Sequence, residues 1–133
     1  MLGVFVFIEG GIKMSKLPVE IPESLRGKIL DHFDSEKAVL IDNFFHIKTQ
    51  CPLCELSGLI CSRCPLYPWQ EGTLEGCQKI IDEFIPDECK NWRRTIELKS
   101  YGISWHKDKQ RNASSVLNAI RNIIENEEVV KWV

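Results

Sequence analysis

Between Cys51 and Cys64 the chain reads C-P-L-C-E-L-S-G-L-I-C-S-R-C, four thiols within fourteen residues. Cys51 and Cys54 form one C-x-x-C pair and Cys61 and Cys64 a second. Such a turn presents two sulfurs on one side of a tight bend, which is half of a tetrahedral site, and a second turn supplies the other half. Thiolates are the ligands that zinc and iron–sulfur clusters prefer. The six residues between the pairs could stretch to roughly 20 Å, more than closing both turns on one ion requires. That gap is shorter than the roughly 15–20 residues of a zinc ribbon, so the expected unit is a compact double knuckle. Zinc is the expected metal and an iron–sulfur cluster the alternative. Redox or disulfide thiols stand level with the cluster, behind zinc, and no secretory context favours disulfides.

Two further cysteines, Cys77 and Cys89, lie outside any C-x-x-C pair. Cys77 follows Gly76 at the start of an apolar run, where it could replace one of the four ligands or act as a fifth. Cys89 precedes Lys90, Arg93 and Arg94; cations folded over it would lower its pKa, but a half-buried, inert thiol is the plainer expectation. His46 stands five residues before Cys51 and is a conceivable ligand, although four thiols already fill a site.

A second chemistry is suggested by charge. From Lys90 to Arg111 seven cations face only Glu97 and Asp108, with Trp92, Tyr101, Trp105 and His106 interleaved. Cations that meet phosphates beside aromatic rings that stack on bases are what single-strand binders use. Arg93, Arg94, Lys107 and Lys109 are the candidate phosphate contacts and Trp105 the candidate stacking platform. The competing expectation is a solvated face whose Trp92 and Trp105 anchor the core. Catalytic constellations are scarce: no H-E-x-x-H, G-x-x-x-x-G-K or G-x-S-x-G string occurs. A four-thiolate site is also coordinatively closed, with no position for an activated water. An enzyme is therefore the least expected class.

The 133 residues, 44% hydrophobic and 27% charged, fit one globular domain large enough for a core but helped by a staple. A net charge of −2 argues against a wholesale nucleic-acid coat. No apolar run approaches the roughly 20 residues that span a bilayer, and the expected setting is the cytoplasm, where thiols stay reduced. Leu2 to Ile8 imitates a signal peptide but lacks a basic beginning and a small-residue cleavage site. Glu9-Gly10-Gly11 ahead of Met14 suits a translated ribosome-binding sequence, so residues 1–13 read as leader and residues 14–133 as the domain.

The elements that must position these groups read as mainly helical. Pro22 and Glu23 open a helix over residues 23–33, with Leu25, Ile29, Leu30 and Phe33 as its apolar stripe. Residues 36–48 fit a helical face through Leu40, Phe44 and Ile47 or a strand broken at Asp42-Asn43, and the absence of a turn glycine favours helix. Pro65 to Trp69 reads as a stiff apolar cover for the knuckle. Further helices are expected over residues 77–85, ending at Pro86, and over 87–98. A last one is expected after an Asn112 or Ser114 cap, with Val116, Leu117, Ile120, Ile123 and Ile124 as its core stripe. The expected fold is thus a mainly α domain of four or five helices around a four-cysteine knuckle, with a short β element at the knuckle or at residues 36–48.

The string Cys51-Pro-Leu-Cys54, then Cys61-Ser-Arg-Cys64-Pro65-Leu66, then Gly76-Cys77 resembles small uncharacterised proteins of bacteriophages and prokaryotic genomes. These carry a C-x-L-C knuckle preceded by a helix, then C-x-x-C-P, then a further cysteine. The resemblance covers residues 51–77, and nothing in the C-terminal half adds to it. It implies a metal site with Cys77 among its possible ligands, and no activity. Two roles follow as expectations: a nucleic-acid-binding or regulatory module, or a protein-interaction factor docking through an apolar rim of Leu53, Leu59, Ile60 and Tyr67.

Overall fold

A computed structural model describes residues 18–58, 64–66, 76–99 and 101–133. The leader expected at residues 1–13 lies outside the described residues. Among those described, the fold is mixed α/β, with five α-helices and six strands; this corrects the mainly α expectation.

The largest element is α5 (Gln110–Ile124). Its stripe buries Ala113, Val116, Leu117, Ile120 and Ile123, and three of these positions are fully inaccessible. It starts at Gln110, ahead of the expected caps. The Asn112 amide instead donates to the Thr95 hydroxyl at 2.6 Å, which ties α5 to the short helix α4 (Trp92–Thr95).

Against α5 lies an antiparallel sheet of order β2-β3-β5-β4, formed by Val39–Ile41, Phe44–Ile47, Gly102–His106 and Glu97–Lys99 respectively. Phe45 lies opposite Trp105 and Ile47 opposite Ile103, so these four share the core face. Residues 39–47 are thus a hairpin broken at Asp42-Asn43, the alternative given for the 36–48 span, and not a helix, behind a 3-10 turn at Ser35–Lys37. Its loop needs no glycine because Asp42 itself takes the left-handed conformation, φ 48°, which a short polar side chain tolerates. The expected helix over 87–98 is likewise replaced. A 3-10 turn at Asp87–Cys89 and α4 are followed by β4, which turns back to pair with β5. Gly102 makes the inner pairing possible: at φ 151° a Cβ there would meet the Ile47 carbonyl oxygen at 2.6 Å.

A second sheet pairs β1 (Val19–Ile21) in parallel with β6 (Val130–Trp132). The helix α1 (Arg26–His32), entered through a 3-10 turn at Glu23–Leu25, fills most of the expected span 23–33. Arg26 clamps the end of α5 through a fork to the Glu125 carboxylate while lying over the Trp132 ring. The helix α2 (Pro52–Leu56) follows Cys51, and α3 (Gly76–Phe84) carries Cys77.

Candidate metal centre

Cys51 is the extended residue that caps α2, and Pro52 starts the helix with its φ already set. Cys54 sits one turn on, so both thiols lie on the same side of α2. Pro52 and Leu53 between them are buried. The C-terminal turn is fastened by the Ser57 hydroxyl, which donates to the Cys54 carbonyl at 3.0 Å.

Cys77 arrives from a distant part of the chain. The helix bearing it begins at Gly76, whose backbone is pressed on Leu66: a Cβ would stand 2.3 Å from the Leu66 carbonyl oxygen. That close approach fixes the start of α3 against the segment carrying Cys64, two residues before Leu66. Cys51, Cys54 and Cys77 then line one cavity of about 100 Å³, walled by Leu53, Leu66 and other apolar side chains. All three thiols, and Cys64, are half-buried, and Cys54, Cys64 and Cys77 each have an interaction partner. Cys61 lies outside the described residues. Among the described residues no three of His, Cys, Asp and Glu are grouped closely enough to hold a metal ion. The donor set nevertheless fits a zinc or iron–sulfur centre in kind: soft sulfurs in a water-poor, apolar pocket.

A histidine that sequence reasoning passed over lines the same cavity. His32, at the end of α1, is 3% exposed, and its Nδ1 lies 3.0 Å from the Thr49 hydroxyl. Burial holds its pKa down at about 4, against a smaller upward pull from Thr49, so the ring is neutral at pH 7. The available signal was its place on the buried side of α1, three residues after Ile29. His46 is elsewhere, beside Phe44 on the outer face of the sheet.

The rim expected to dock partners is corrected at Leu53, which is 5% exposed and belongs to the core. Leu59, Ile60 and Tyr67 lie outside the described residues. Cys89 follows the plainer expectation of an inert thiol: it is buried, and desolvation followed by the neighbouring Glu88 pushes its thiol pKa up, the opposite of an activated nucleophile.

The basic stretch divides. Trp105 is 2% exposed, stacks on Phe45 and donates its indole N–H to Gln110 at 2.7 Å. No face of it is open to a base, which corrects the stacking reading. Arg93 pairs with the Asp82 carboxylate and lies over Trp92, whose own N–H donates to Asp82 at 2.8 Å. Arg94, Lys107 and Lys109 are exposed, and the Lys109 ammonium donates to the Arg94 carbonyl, which brings two of them together.

No family model, no curated protein and no solved structure matches this chain. The chemistry is therefore carried by its own residues. Among those described, no helix is long and apolar enough to cross a membrane.

Proposed function

We propose that this is a small cytoplasmic zinc-binding protein whose metal is structural, with ligands drawn from Cys51, Cys54, Cys61, Cys64 and Cys77, and that it serves as a regulatory binding module. One observation carries the reading: cysteines from α2 and from the start of α3, more than twenty residues apart in sequence, share one apolar cavity. Apolar packing alone does not require thiols there, whereas a metal that joins α2 to α3 does. A fully thiolate-ligated zinc has no open position, so its contribution is to folding free energy.

The test is metal analysis of protein purified without added metal, with an absorption spectrum. About one zinc per chain and a colourless solution are expected. A brown protein containing iron and sulfide would replace zinc by a cluster, and a metal-free, fully folded protein would refute the reading.

A second reading, binding of single-stranded nucleic acid, is favoured only by the neighbouring exposed cations Arg94 and Lys109, with Lys107 close in sequence. Binding through them is expected to weaken as salt rises. Replacing Arg94 and Lys109 by alanine is expected to flatten that slope by roughly 0.7 per lost contact. An unchanged slope in titrations of a fluorescent oligonucleotide would remove this role.

A further inference from the structure

We propose that β2 is the seam of a two-fold dimer, pairing antiparallel with β2 of a second copy so that two four-stranded sheets become one. The inference rests on this sheet edge alone and is independent of the metal reading.

β2 lies at the end of its sheet, with β3 on one side only. Its residues Val39, Leu40 and Ile41 are 59%, 52% and 41% exposed, and Phe44 beside them is 45% exposed. Among the described strands it is the one made entirely of aliphatic side chains. The opposite edge, β4, carries Glu97 and Lys99, and the β1–β6 ribbon carries Glu20 and Lys131. Charges of that kind are how natural sheets discourage edge-to-edge pairing. β2 has none.

The hydrogen-bond geometry of the hairpin suits self-pairing. Its loop is Asp42-Asn43, so Ile41 and Phe44 form the closing pair, and the closing pair of a two-residue hairpin exchanges both its bonds. Alternation then turns the Leu40 N–H and C=O away from β3, towards the open edge. A two-fold axis through Leu40 sets these groups against their counterparts and places Val39 opposite Ile41, each side chain staying on its own face.

Charge selects a second copy over other occupants. Lys37 precedes the strand and Asp42 follows it, both exposed. With the axis at Leu40, Lys37 falls opposite Asn43 and one position from the other copy's Asp42, with the exposed Glu36 one position further out, opposite Phe44. Parallel pairing would instead set each charge against its own counterpart. The strand is only three residues long, so the dimer should be weak.

The test is sedimentation equilibrium of the metal-replete full chain from about 1 to 100 micromolar, a range suited to a small interface, together with amide exchange at Leu40. The mass is expected to rise from 15.4 kDa towards twice that value, and the Leu40 amide to exchange more slowly as the dimer fills. Leu40→Lys sets a charge against its own counterpart and should raise the dissociation constant at least about tenfold. Lys37→Glu, on an exposed turn that cannot upset the core, should weaken the dimer a few-fold. A monomer at every concentration would overturn the proposal. So would a dimer indifferent to both substitutions, or a Leu40 amide equally protected at all concentrations, which would mean that something other than a second copy covers the edge.

Discussion

A thiol contributes to a metal site only if the backbone beneath it is held near the other thiols, and for Cys77 that hold is Gly76. Cys77→Ser is expected to lower zinc affinity by on the order of 100-fold or more, as loss of a thiolate from a closed site should; competition with a chromogenic chelator measures it. If affinity is unchanged, the four ligands are Cys51, Cys54, Cys61 and Cys64. His32 gives a second prediction at this scale. Its pKa of about 4 in the folded state lies below the ordinary value near 6.5. Between those values the unfolded chain binds more protons, so stability is complete above about pH 6.5 and is lost as pH falls towards 4. The two values differ enough for a loss of roughly 3 kcal/mol at the acid end. Acid also protonates thiolates, so the comparison is with His32→Leu, whose stability curve from chemical denaturation should be flatter in that window. The cysteine motif announced itself because four like residues in fourteen are improbable without a shared ligand. His32 did not, because a lone histidine in a helix looks the same in sequence whether it faces water or a cavity.

Helices and strands were legible to different degrees for a physical reason. Helix α5 has the longest 3.6-residue stripe among the described residues, and helices near the expected 23–33 and 77–85 spans followed from the same periodicity. The hairpin at β2–β3, broken at Asp42-Asn43, stood only as the alternative to a helix, because Asp42 does the work usually left to glycine and because Val39-Leu40-Ile41 shows no alternation, being exposed on both faces. β4 and β5 were hidden by shortness and by a turn at Tyr101-Gly102 inside what reads as a basic loop. These turns can be tested. Asp42→Gly should stabilise the protein by up to about 1 kcal/mol, since glycine accepts φ 48° without strain, read from the denaturation midpoint. Gly76→Ala should cost roughly 1–3 kcal/mol, because Leu66 must move aside. It should also reduce zinc retention, an effect that loss of stability at a remote site would not produce.

At the scale of the molecule, the cavity beside the cysteines is walled by α1, α3, α5 and the β1–β6 ribbon, so a metal held there would be contiguous with the main core. Chelation is therefore expected to lower the thermal midpoint of the whole domain together with its helical circular dichroism, by the linkage that binding energy imposes. Survival of the full helical signal and midpoint after the metal is stripped would show that the core does not depend on it. The basic segment was readable from composition. For Trp92 and Trp105 the sequence left anchor and platform side by side, since a tryptophan among cations has the same signature either way; their burial at 2% exposure each makes them the core anchors of the competing expectation.

The parallel ribbon of β1 and β6 has a mechanical corollary. Tension applied ahead of Val19 and beyond Trp132 would pull the two strands in opposite directions along their length. The ladder of the Val19–Val130, Glu20–Lys131 and Ile21–Trp132 pairs, with the flanking bonds from Val19 to Val129 (2.8 Å), from Glu23 to Val133 (2.8 Å) and from Val133 to Ile21 (3.0 Å), would bear that load together, in shear, and could not be peeled one bond at a time. α5 and the four-stranded sheet lie between those strands in sequence and would feel no force until the ribbon gave way. Drawn from its two ends, the domain should resist as a latch and then release abruptly, with a rupture force set by those few bonds.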